Sequence, residues 1–175
     1  MSAASYAERL EESQGLQDIF EIVKEIVWKT LKAEQAGLLV GLAELGITPQ
    51  RILGAFYSPE ANTIIMNRTV MNNVKRLSEQ QLYKSYCFHI LLHEYLHSCG
   101  FYDEAQNRQI AAAITTQTFG NSHFATKLAT TEDAMPNLLR KSLSTGDTFI
   151  SNQNFPDYNI EFIEGIDKEN TNYIN

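Results

Sequence analysis

A chain of 175 residues with 43% hydrophobic and 20% charged residues suits one folded domain with a sizeable core. Its formal net charge of −7 repels phosphate backbones, which argues against a nucleic-acid partner. It contains no run of about 18 apolar residues to span a membrane, and Met1 to Gln17 is polar and mixed in charge, unlike a secretory leader, so a cytoplasmic protein is expected.

Taken in order, residues 1–15 are polar and expected to fray. From Leu16 to Leu31 the apolar residues Ile19, Phe20, Ile22, Val23, Ile26 and Val27 recur at helical spacing, which predicts an amphipathic helix. Glu34 to Leu45 reads as a second helical run, with Gly37 and Gly41 allowing close packing. Gly46 and Thr48-Pro49 break it. Two short runs rich in β formers, Arg51 to Tyr57 and Thr63 to Asn67, flank the turn chemistry of Ser58-Pro59-Glu60-Ala61-Asn62, which predicts a β-hairpin.

Asn67 to Leu77 is a polar connector or short helix. Ser78 and Gln81 can then form a capping box, with Leu77 stapled onto Leu82, so a long helix is expected to run to about Ser98. It is apolar on several sides and should be central and buried. A helix from Asp103 to Thr118 ends at Phe119-Gly120, and Asn121-Ser122-His123 opens a short helical run to Ala129. A loop from Thr130 to Met135 leads to Pro136 and a helix from Asn137 to Leu143. Residues 144–175, rich in Asn, Asp, Ser and Gly, read as an irregular tail. The fold expected is α+β and mostly helical. Residues 1–143 form one domain in which a central buried helix packs on other helices and a small hairpin.

The chemistry concentrates in His93-Glu94-Tyr95-Leu96-His97-Ser98-Cys99-Gly100-Phe101-Tyr102-Asp103-Glu104. Its first five residues are H-E-x-x-H. Positions i and i+4 of a helix share a face, so His93 and His97 can present two imidazole nitrogens to one metal ion. Glu94 can take the proton of an attacking water, and zinc is the metal such a site suits. Asp103 follows His97 by six residues and Gly100 by three. It competes as third ligand with its own reading as a helix cap, with Gln106 three residues on. His123, the histidine outside the central helix, is the alternative third ligand; motif spacing favours Asp103. His89 lies one turn before His93 and is read as a packing or supporting group, because a straight helix cannot wrap three ligands around a tetrahedral ion. Cys87 and Cys99 are too far apart along one helix to bridge and read as free thiols in a reducing compartment.

The full run H-E-x-x-H-x-x-G-x-x-D resembles the zincin metallopeptidases. It is similar to the metzincin signature, with Asp103 where many members carry histidine, and to small single-domain prokaryotic zincins. The resemblance implies a zinc-dependent peptidase acting on a peptide or protein substrate, with His93, His97 and Asp103 as ligands and Glu94 as general base. It also offers a hairpin strand to hold an extended peptide, which the residues do not separate from a purely structural hairpin, and a turn beneath the metal for Met135, which as a lone methionine reads rather as core. Tyr102 and His123 are candidates to stabilise an oxyanion. A family of bacterial ribosomal-RNA-processing enzymes with H-G-x-L-H-L-x-G-Y-D-H is similar in Leu96, Gly100 and the acidic turn. It departs at Glu94, where it has glycine, and at Glu104, where its last histidine would align with a flexible gap. A degenerate zincin that binds a metal or a partner without catalysis is the third reading, and the intact Glu94 argues against it.

Overall fold

The structure is a computed structural model and describes residues 4–47, 52–77, 79–143 and 159–166. Among these, the elements are α1 (Tyr6–Glu12), α2 (Leu16–Leu31), β1 (Leu39–Ala43), β2 (Ala55–Ser58), β3 (Thr63–Asn67), α3 (Arg68–Leu77), α4 (Gln80–Ser98), α5 (Glu104–Phe119), α6 (Phe124–Thr130), α7 (Ala134–Leu143) and β4 (Glu161–Phe162). The class is α+β, mostly helical, as the sequence predicts.

The four strands form one sheet in the order β2-β3-β1-β4. β2 and β3 make the expected antiparallel hairpin, with Tyr57 opposite Ile64 and Ser58 opposite Thr63. Asn62 closes its turn in the left-handed region at φ 47°, where asparagine is among the residues best tolerated. β1 lies parallel to β3, with Val40 opposite Ile64. The side-chain period of two then splits the sheet. Val40, Ile64 and Met66 join the main core under the helices, while Ala43, Leu45 and Ile65 form a smaller cluster on the other face with Leu53 and Phe56.

β1 corrects the helix expected over Glu34–Leu45. Leu39-Val40-Gly41-Leu42-Ala43 is a short apolar run that fits either period, and pairing with β3 on one side and β4 on the other decides it. Gly41 has a packing reason in the sheet, because a Cβ there would run into the Ile160 side chain. Residues 1–15 also differ from expectation. They hold α1, started by a capping box in which Ser5 accepts from the Glu8 backbone and Glu8 accepts from the Ser5 backbone. Leu10 is buried, and Arg9 pairs with Glu25 on α2 at 2.8 Å.

α4 is the axis of the molecule. Tyr86, Cys87, Phe88, Leu91, Leu92, Tyr95 and Leu96 are at most 1% exposed, which is why α4 packs against other elements on several sides. The capping role expected of Ser78 lies outside the described residues; α4 begins after Glu79, whose side chain makes no cap hydrogen bond. Asn67, fully buried, pins the sheet to α3: its amide donates to the carbonyls of Gly46 and Leu53 at 2.9 and 2.8 Å and accepts from Leu45 and Thr69. α7 begins at Ala134, so Met135 lies in a helix and not in the turn expected for it. Of the tail, the described part adds β4 to the edge of β1, with Glu161 paired to Arg68. No helix of the described residues is long and apolar enough to cross a membrane.

Candidate metal centre

The turn after α4 builds the site. Gly100 adopts φ 104°, a backbone open to glycine, and two hydrogen bonds close the helix end: Phe101 N–H to Leu96 C=O at 3.0 Å and Gly100 N–H to His97 C=O at 3.0 Å. This is the Schellman arrangement, and it sends the chain back along α4. The returning carbonyl of Phe101 meets His97 Nδ1 at 2.9 Å. A carbonyl only accepts, so Nδ1 carries a ring proton, and Nε2 is the nitrogen turned to the cleft and available to a metal ion. Asn107 on α5 holds the same turn. It is fully buried, and its amide donates to the carbonyls of His93 at 3.0 Å and Phe101 at 3.3 Å.

His93 and His97 share a face of α4 as the spacing predicts, with Nε2 to Nε2 at 3.1 Å. The carboxylate that joins them is Glu104, whose Oε1 is 3.0 Å from His97 Nε2 and whose Oε2 is 3.3 Å from His93 Nε2. Among the described residues this is the one group of three or more metal-ligating side chains that converges, its atoms all within 4.8 Å. Asp103, favoured by spacing, instead caps α5, its Oδ1 accepting from Gln106 N–H at 2.7 Å. His123 is also drawn off. It caps α6 by accepting from Ala125 N–H at 3.1 Å, and its ring stacks on Phe119 at 4.5 Å between centroids.

The donor set fits zinc. Metal–ligand bonds of about 2.0–2.1 Å arranged tetrahedrally place ligand atoms about 3.3 Å apart; here the two Nε2 atoms are 3.1 Å apart, and each has one of the two Glu104 oxygens at a comparable distance, Oε1 at 3.0 Å from His97 and Oε2 at 3.3 Å from His93. Two imidazole nitrogens, which are borderline donors, and a carboxylate oxygen, a hard one, are all among the ligands zinc takes. The histidine side chains are 19% and 14% exposed and Glu104 58%, so the triangle is sunk on the α4 side and open towards solvent.

Glu94 lines the same cleft and is only 7% exposed. Burial, with the negative charge of Glu104 adding to it, pushes its carboxyl up to about 8, against a hydrogen bond from the Tyr57 backbone N–H that favours the ionised form. Burial, and next the neighbouring His97, hold His93 below the ordinary histidine value. The cleft encloses 760 Å³ between α4, β2, α5 and the α6–α7 corner. Its walls are mainly apolar, among them Ile52, Phe56, Ile90, Leu128 and Leu139, and Tyr102 stands at the mouth with 65% exposure.

Three cleft features carry no local sequence signal: the Tyr57 N–H, which comes from the hairpin; the apolar α6–α7 corner; and Arg108 on α5. Glu104 had one, as the carboxylate next to Asp103. No family model, curated protein or solved structure matches this chain.

Proposed function

We propose that this protein is a zinc-dependent peptidase, with His93, His97 and Glu104 holding the metal and Glu94 acting as general base. The observation that carries the reading is the His93–His97–Glu104 triangle with a buried carboxylate beside it in one cleft. A bound zinc ion would supply Lewis acidity, lowering the pKa of a water and polarising a carbonyl.

The chain's own residues supply the rest. Glu94 takes a proton from the attacking water and returns it to the leaving amine. Among the described residues β2 is an edge strand of the sheet, paired to β3 on one side, and it borders the cleft. An extended peptide can lie along that edge by strand addition, with side chains entering the apolar walls. Tyr102, which lines the same cleft, is the candidate to donate to a developing oxyanion. We place the protein in a reducing compartment such as the cytoplasm, on its two free cysteines.

Metal analysis of the purified protein, followed by peptide-library cleavage with and without chelator, tests the reading. One zinc per chain and chelator-sensitive cleavage are expected; cleavage indifferent to chelator overturns it.

A further inference from the structure

The cleft wall of α5 holds a cation that the hydrolytic reading leaves without a task. Arg108 follows Glu104 by four residues and so lies on the same helix face, one turn further into the cleft. α5 returns along α4: Phe101 meets His97, Glu104 meets both His97 and His93, and Asn107 meets the backbone of His93. The next turn of α5 therefore faces the turn of α4 that carries His89. Apart from the histidines, Arg108 is the one basic side chain of the lining among the described residues. It is exposed, and among those residues it makes no hydrogen bond or ion pair. Glu104 is turned to the histidines, and Glu132, across the cleft, forms no pair with it.

We infer that Arg108 is a specificity-determining residue that binds a substrate carboxylate within one to two residues of the scissile bond. The inference rests on the peptidase reading for the reaction but not for the binding. Its geometry follows from lengths. One helical turn is about 5.4 Å, and an extended peptide advances about 3.3–3.6 Å per residue. A group one turn from the Glu104 ligand is thus about one to two residues along an extended peptide from the bond that is cut. A guanidinium offers a planar fork that takes a carboxylate with two parallel hydrogen bonds. The surroundings strengthen it. Ile90 and Ala111 flank the position with apolar surface, and His89 adds no competing anion. Burial, with the charges of His93 and Arg108 adding to it, holds His89 down to about 4, so the ring beside Arg108 is neutral at ordinary pH.

Such a carboxylate has two sources: the free C-terminus of a peptide, or an Asp or Glu side chain. Three blocked peptides of one length separate them: a free acid, its C-terminal amide, and an amide with Asp after the scissile position. Binding is measured by calorimetry on metal-free and zinc-loaded protein, and cleavage by mass spectrometry on the zinc-loaded form. Losing a hydrogen bond to a charged group corresponds to roughly a 10–100-fold change in affinity. The wild type should prefer one of the two carboxylate peptides over the plain amide by that factor. Arg108→Ala should erase the preference, and Arg108→Lys should restore part of it. Preference for the free acid identifies C-terminal trimming, and preference for the Asp peptide identifies acidic-site cleavage. Equal binding of all three by the wild type overturns the inference, as does a preference that survives Arg108→Ala. If carboxylate preference is present and Arg108-dependent but nothing is cut, the peptidase reading fails and the carboxylate site stands.

Discussion

Asp103 and Glu104 are neighbours with opposed duties. The first turns its carboxylate along α5 to accept from Gln106 N–H at 2.7 Å, and the second turns away from the axis to reach His97 Nε2 at 3.0 Å. An N-cap residue holds extended backbone, here φ −68° and ψ 123°, with its side chain folded over the first turn, whereas the next position projects sideways. The two substitutions should therefore separate cleanly. Glu104→Ala should lose zinc under native mass spectrometry and keep its thermal transition in the metal-free state. Asp103→Ala should keep zinc and lose about 1 kcal/mol of stability, the usual worth of a cap. Tight zinc in Glu104→Ala would return the third ligand to another residue.

Glu94→Gln should retain both metal and fold, because the two histidines and Glu104 are untouched and the glutamine amide can still accept from Tyr57 N–H. What it removes is the base. General acid–base catalysis contributes about 10²–10⁴-fold, so turnover should fall at least that far at an unchanged zinc content. Wild-type turnover in this variant would remove Glu94 from the mechanism.

How far these features could be read beforehand follows the range of the interactions that fix them. His93, Glu94 and His97 were legible because a helix fixes spacing within one turn, and α2 was legible to the residue for the same reason. The carboxylate that meets the histidines was not, because Gly100 interrupts the helical period and the count across a turn does not say which of two adjacent carboxylates faces inward. The competing signal was present, though. Asp103 with Gln106 three residues on is a capping pattern, and a capped Asp103 leaves Glu104 as the free carboxylate. α1 carried an equally local signal, Ser5 with Glu8, beneath a polar composition that suggested fraying. β1 had no local signal to separate it from a helix. Its partners lie about twenty residues downstream in β3 and far beyond that in β4, and pairing across such separations overrides propensity.

His89 sets an acid limit on the metal-free protein. Its ordinary value of 6.5 applies to the unfolded chain, while in the fold burial, chiefly, holds it at about 4. Between these pH values the unfolded state binds a proton that the folded state refuses. Stability is therefore full above about pH 6.5 and falls as the pH drops towards 4, by at most about 3 kcal/mol from this group. Denaturant titrations of apo protein across that window, beside His89→Gln, measure the difference. The variant should show a shallower acid decline; identical slopes would mean that His89 charges freely in the folded protein.

The two thiols offer a measure of how firmly α4 is held. Cys87 is fully buried, and burial pushes it up to about 12, against the opposing influence of Tyr83 and Lys75. Cys99 is part-buried at the end of the helix; burial raises it too, against hydrogen bonds from Ser98 and Tyr95. The thiolate is the reactive form, so both should react more slowly than a free cysteine at pH 8, and by different routes. Cys99 stands beside the glycine turn, where a small opening exposes it. Cys87 sits mid-helix in the main core, and reagent reaches it only when α4 leaves its neighbours. Alkylation followed by peptide mass spectrometry should find Cys99 modified first and Cys87 modified at the global unfolding rate, accelerating with denaturant along the unfolding curve. Zinc should slow Cys99, because ligation of His97 and Glu104 braces the turn between them, and should slow Cys87 only as far as it stabilises the whole fold. Equal and rapid labelling of both in native buffer would show that α4 is not the buried axis described above.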